Sequence, residues 1–213
     1  MLTFGLLSGT VDQYDLMNRV LIWLPLAIVS LTLHEFGHAA TAYALGDQTP
    51  KLDGRVTLNP FAHLELFGTL MMLFGPIGWA KPVRIDPRAL KGRFGDLVVS
   101  VAGPGMNLVI ALVAACALKY AIVPQAYASA LDVVQAVFFM NVGLAVFNLL
   151  PIPPLDGGHI WPALLPARMH RRYYQILPYG MIGLILLVMW PGANHGLSHL
   201  IDVVAGWIFS LLP

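Results

Sequence analysis

The hydropathy pattern divides the chain into long apolar runs separated by short polar connectors. A bilayer core about 30 Å thick needs roughly 20 helical residues to cross it. Residues 19–45, 96–119 and 131–150 meet that length, and 174–190 and 197–212 read as two further spans. Pro25 falls in the first turns of the first run, where a missing N–H is harmless. Gly46-Asp47 reads as its stop. Residues 1–18 form a short amphipathic lead.

The connectors carry their own signals. Residues 47–63 are polar and turn-rich, and Gly54-Arg55-Val56-Thr57-Leu58 alternates like a short strand. Residues 64–80 are apolar but short, and Gly68, Gly75, Pro76 and Gly78 interrupt them. Irregular backbone at membrane depth needs protein or water to cover it. This piece is therefore expected to re-enter the membrane, or to be a broken segment against a site. Lys81, Arg84, Arg88, Lys91 and Arg93 make 81–95 a basic loop, and Arg168, Arg171 and Arg172 mark the connector 160–173. The expected fold is an all-α polytopic membrane protein. It has about five spanning helices plus a re-entrant, β-like membrane-associated segment after the first. No repeat or low-complexity linker divides it, so 1–213 reads as one domain, with a core at 19–160 and C-terminal helices at 174–212.

Composition agrees with a bilayer. The 213 residues are 58% hydrophobic and 11% charged, with a mean hydropathy of +0.73. Soluble domains carry about 25% charged residues. A net charge of +1 gives nucleic acid no electrostatic footing. The lone Cys116 excludes an intrachain disulfide and a cysteine-based zinc cluster. Met1 to Leu7 lacks a basic n-region and runs into Asp12, Gln13 and Asp15, unlike a cleavable signal.

Against this apolar background, His34-Glu35-Phe36-Gly37-His38 stands out. Helix positions i and i+4 share a face, so the two imidazoles can hold one metal ion. Glu35, between them, is suited to take a proton from an attacking water. Ionisable residues at membrane depth are expensive and mark function by default. A catalytic zinc needs three protein ligands. Asp156, His63, His159, Glu65 and Asp53 are the candidates for the third, with Asp156 followed by Gly157-Gly158. An aspartate before glycine is also a common turn arrangement. His195 and His199 read as interfacial.

Charge alone leaves orientation open. With the N-terminus outside and 64–80 not spanning, Lys and Arg divide ten to two in favour of the cytoplasm. With 64–80 spanning and the N-terminus inside, the division is nine to three. Both satisfy the positive-inside rule. Depth discriminates better. If Asp156 is a ligand, only the first arrangement brings it level with His34 and His38.

Three motifs in order carry a family resemblance: His34-Glu35-Phe36-Gly37-His38, Gly103-Pro104-Gly105-Met106-Asn107, and Asn148 through Pro151 to Leu155-Asp156-Gly157. Together with Gly78 to Val83, they resemble the site-2 protease family of intramembrane zinc metalloproteases, in its compact form without a PDZ domain. The resemblance implies one Zn2+ held by His34, His38 and Asp156, with Glu35 as base and Asn148 handling substrate. Asn107 reads as architectural. The resemblance further implies a multi-pass protein of the cell (inner) membrane, with its site toward the cytoplasm. Its partners would be the lipid bilayer and a single-pass or signal-peptide-like transmembrane substrate. An unwound substrate strand could pair with 54–58 or 79–83. The competing function is a metal-ion or solute transporter using the same His and Asp groups. Against it, the groups cluster and no repeat appears.

Overall fold

A computed structural model describes Met17 and residues 19–74, 78–92, 94–122 and 128–213. A π-helical turn, Arg19–Trp23, leads into α1, Leu24–Ala44. The helices that follow are α2 (Thr49–Leu52), α3 (Leu66–Phe74), α4 (Gly95–Lys119) and α5 (Ala128–Asn148). They continue with α6 (Gly157–Leu164), α7 (Ala167–Ile176), α8 (Gly180–Met189) and α9 (Pro191–Leu211).

Among the described residues, three helices are long and apolar enough to cross a bilayer: Val20–Ala44, Gly95–Lys119 and Ala128–Asn148. The protein is thus a multi-pass membrane protein. Its outward faces carry Val29, Val109, Val113 and Phe139, all exposed. Such a surface is a liability in water and ordinary against lipid. α1 stops as the sequence predicts, in a Schellman cap. Gly46 has φ +110°, and Asp47 N–H and Gly46 N–H bond to Ala42 O and Tyr43 O at 3.0 and 3.1 Å.

Asp86 and Lys91 return to the end of α1. Lys91 N–H bonds to Leu45 O at 2.8 Å, and Asp47 Oδ2 accepts from Asp86 N–H at 2.8 Å. α4 lies between α1 and α5. Ala111, Ala114 and Ala115 of α4 and Phe138, Val142 and Val146 of α5 form a core with Ala205 and Ile208 of α9. The small alanines permit close helix approach, which is how helices associate in lipid. At the other end, Lys119 Nζ donates to Leu212 O at 2.7 Å, tying α4 to the C-terminus.

Two expectations are corrected. The first is the β-like segment: among the described residues there is no strand, and 54–58 is turn, bend and irregular backbone. Gly54 sits at φ +68°, and five alternating residues find no partner strand. Residues 64–80 hold only the nine-residue α3, with 75–77 outside the described set. At about 1.5 Å per residue α3 is roughly 14 Å long, too short to span. The second correction is the count of five spans. Among the described residues there are three, or four if α8 with its preceding 3₁₀ turn and α9 make one broken span, bent by 86°. The break falls at Trp190, extended at φ −84° and ψ 115° before Pro191. A residue before proline is driven from helical geometry, and Pro191 has no N–H to continue α8.

Candidate metal centre

His34 and His38 lie one turn apart on the buried face of α1, 3% and 6% exposed. That face meets the middle of α4 at glycines. A Cβ at Gly37 would stand 2.9 Å from Ala102 O. A Cβ at Gly103 would fall on the two imidazoles themselves. Glycine at both positions lets the backbones close while the rings occupy the space between.

Asp156 arrives from the end of α5. Ile152 to Asp156 form a chain of turns, with a cis bond between Pro153 and Pro154. Gly157 packs on the last carbonyls of the α5 exit, where a Cβ would lie 2.6 Å from Leu149 O. Trp161 Nε1 donates to the same Leu149 O at 2.8 Å. Asp156 stands at the N-cap of α6, where a carboxylate ordinarily accepts from the helix N–H groups. It makes no such bond. Its oxygens lie 3.1 Å from His34 Nε2 and 3.3 Å from His38 Nε2 instead.

The ring nitrogens facing away from Asp156 have partners. His34 Nδ1 is 2.6 Å from Asn107 Oδ1, and His38 Nδ1 is 2.7 Å from Val99 O. A carbonyl oxygen only accepts, so each neutral ring carries its proton on Nδ1. Both Nε2 atoms then present bare lone pairs, 3.2 Å apart, beside a carboxylate. Asp156 Oδ2 is buried and has no hydrogen-bond partner despite its closeness to His34. Three lone-pair donors with no proton among them form the complement of a cation. A tetrahedral zinc with ligands at about 2.0–2.1 Å sets neighbouring ligand atoms about 3.3 Å apart. The two Nε2 atoms, 3.2 Å apart, match that edge, each has one Asp156 oxygen at 3.1 or 3.3 Å, and one ligand atom from each residue can be chosen so that all three lie within 4.8 Å. Among the described residues, this is the one group of three His, Cys, Asp or Glu side chains placed to hold a metal ion.

The other candidate ligands do not join this cluster. Asp53 pairs with Arg84 at 2.6 Å, which holds its carboxyl below the ordinary range. Glu65 Oε2 accepts from Gly68 N–H at 2.7 Å. His63 is buried with Nε2 on Thr57 O at 2.9 Å, and His159 is exposed on α6. Glu35 is half-buried beside His34. Asn148 Nδ2 donates back to Leu144 O on its own helix at 3.0 Å.

Sequence reasoning missed Arg55. It is 4% exposed, and its guanidinium donates to the carbonyls of Ala62, Lys81 and Pro82. Burial pushes this guanidinium below its ordinary value, and Glu35 is the foremost charge opposing that. A buried Arg next to a glycine, read as part of a strand, left no periodic signal to find it by.

Comparison with known proteins agrees with this geometry. The sequence profile of peptidase family M50 matches residues 119–189, the stretch that includes Asp156. Over 200 residues the chain is 36% identical to the candidate zinc metalloprotease YwhC of Bacillus subtilis, covering 87% of this chain and 91% of YwhC. The chain belongs to peptidase family M50. This M50 protein is also 34% identical over 181 residues to the candidate zinc metalloprotease Rip2 of Mycolicibacterium smegmatis, covering 82% of the chain and 69% of Rip2. Zinc metalloprotease MJ0392 of Methanocaldococcus jannaschii is 27% identical over 173 residues, 78% of this chain but 42% of its own length. No solved structure gives a significant match. As an M50 member, the protein is an intramembrane zinc metalloendopeptidase. The transporter alternative has no support beside it.

Proposed function

We propose that His34, His38 and Asp156 are the protein ligands of a single catalytic Zn2+, and that Glu35 is the general base. The observation carrying this reading is the convergence of two bare imidazole Nε2 atoms and an uncapped carboxylate within 4.8 Å of one another. When bound, zinc supplies Lewis-acid polarisation of the scissile carbonyl and of the attacking water. Glu35 accepts a proton from that water as the oxygen–carbon bond forms. It then delivers the proton to the departing nitrogen as the carbon–nitrogen bond breaks. Asn148 hydrogen-bonds substrate backbone. Asn107 is architectural, through His34. Residues 1–213 act as one catalytic unit, with the core at 19–160.

The substrate is a single-pass or signal-peptide-like transmembrane segment, and the site opens toward the cytoplasm. The basic residues support this orientation. Lys51, Arg55, Lys81, Arg84, Arg88 and Lys91 lie at the end of the bundle where α1 stops and α4 starts. Arg19 and Lys119 lie at the opposite end, and the positive-inside rule assigns the basic end to the cytoplasm. A reporter fused after Asp47 is expected to read cytoplasmic, and an extracytoplasmic signal would overturn the orientation.

The function is tested on the chain purified in detergent, by metal analysis and cleavage of a model transmembrane substrate. Wild type is expected to carry one zinc and to cleave. Glu35→Gln is expected to keep the zinc and lose cleavage. Unchanged cleavage in that variant removes Glu35 from the mechanism.

A further inference from the structure

Behind the His34 ring runs a buried chain of polar side chains that links all three spanning helices. His34 Nδ1 meets Asn107 Oδ1 on α4 at 2.6 Å. Asn107 Nδ2 meets Asn141 Oδ1 on α5 at 2.8 Å. Asn141 Nδ2 meets Ser30 Oγ on α1 at 3.0 Å and Val137 O at 2.8 Å. Ser30 Oγ in turn lies 3.8 Å from Met140 Sδ. Asn107 and Asn141 are both 0% exposed.

The chain has a fixed direction. An asparagine amide can be turned over, exchanging donor for acceptor, and its sense follows from its partners. Val137 O is a backbone carbonyl and only accepts. Asn141 must therefore present Nδ2 to it, which leaves Oδ1 facing Asn107. Asn107 must then present Nδ2 to Asn141, which leaves Oδ1 facing His34. His34 must place its proton on Nδ1, and Nε2 is left bare toward Asp156 and His38. Turning over either amide sets oxygen against oxygen or N–H against N–H in a buried site, a costly mismatch.

We propose that Asn141, acting through Asn107, is a positioning residue that sets the tautomer and orientation of His34 before any metal arrives. One carbonyl on α5 thus fixes which ring nitrogen α1 offers to the cation. This inference rests on the reading of His34 as a metal ligand. His38 has the simpler arrangement, with its Nδ1 directly on the backbone carbonyl of Val99. Partners of this kind behind a ligating histidine ordinarily change metal affinity about 10- to 100-fold.

The experiment has two parts. In the metal-free wild type, 15N spectra of labelled histidine are expected to show His34 protonated on Nδ1 and bare on Nε2. The opposite tautomer overturns the proposal whatever the variants do. Zinc affinity is then measured by chelator competition in three proteins. Asn141→Leu frees the Asn107 amide to turn, and is expected to lose about 10- to 100-fold in affinity and to show mixed His34 tautomers. Combining it with Asn107→Asp is expected to restore affinity and the Nδ1–H tautomer, because a carboxylate accepts from Nδ1–H without needing an upstream partner. A packing role for Asn141 predicts no such recovery, and wild-type affinity in Asn141→Leu also overturns the proposal. Absence of zinc from the wild type would instead sink the assignment of the metal ligands, leaving the tautomer result to be read by itself.

Discussion

Gly103→Ala separates the metal centre from the fold that holds it. Gly103 lies inside α4, where alanine is favoured over glycine by roughly 0.5–1 kcal/mol. Gly103 precedes Pro104, whose ring disfavours helical geometry in a preceding residue with a Cβ, and this offsets part of that gain. The added Cβ, however, would fall on His38 Nε2 and lie 2.6 Å from His38 Cε1 and 2.7 Å from His34 Cε1. Ordinary carbon contact begins near about 3.5 Å, so the His34 ring must retreat by roughly 0.8 Å and the His38 ring by a little more. A metal site tolerates ligand displacements of only about 0.2 Å. Partners behind a ligand are worth about 10- to 100-fold in affinity. Displacing two ligands should reach at least the top of that range, about 2.7 kcal/mol. Gly105→Ala is the matched control, because nothing lies within 4 Å of its Cβ position. Zinc affinity from chelator competition, with circular dichroism of the metal-free proteins, reads both effects. The expected result is helical protein in both variants, with zinc affinity lost only in Gly103→Ala. Binding within threefold of wild type by that variant would refute the placement of the rings against α4.

Three further outcomes follow from the same geometry. Glu35→Gln keeps zinc and lowers cleavage by about 100- to 10,000-fold, the ordinary range for general-base loss, read by single-turnover cleavage. Asp156→Ala removes one ligand of three. Structural zinc sites bind with about 10–16 kcal/mol, or roughly 3 kcal/mol per ligand, so affinity should fall roughly 100-fold or more by chelator competition. Arg55→Leu strips the shared donor from the carbonyls of Ala62, Lys81 and Pro82. It should destabilise this region by about 2 kcal/mol or more and speed hydrogen exchange around 78–83, with Arg55→Lys recovering only part.

The spacing of the two histidines was legible because chemistry constrains it locally. His34 and His38 must be one helical turn apart, and an apolar run makes them conspicuous. The three long helices were legible for the same reason: bilayer thickness fixes their length. Asp156 was one of five candidate ligands until the family resemblance selected it. Its convergence with the histidines is tertiary and depends on the turns after Asn148. The strand at 54–58 failed because alternation over five residues specifies a face only when a neighbouring strand exists to pair with. In its place, Arg55 turns inward and organises backbone carbonyls. The two C-terminal runs failed as separate spans because apolar content does not reveal an 86° bend at Trp190. Asn107 and Asn141 were visible as polar residues at membrane depth, but their partners lie on other helices and no spacing encodes them.

The central claim is that two imidazoles and one carboxylate hold the catalytic metal. X-ray absorption at the zinc edge, on the purified chain in detergent, tests it most directly. The expected spectrum shows two imidazole nitrogens and light-atom oxygen ligands at about 2.0–2.1 Å, changing to fewer imidazoles in His34→Ala. A sulfur shell at about 2.3 Å, which would implicate Cys116, or an unchanged spectrum in His34→Ala, would contradict it.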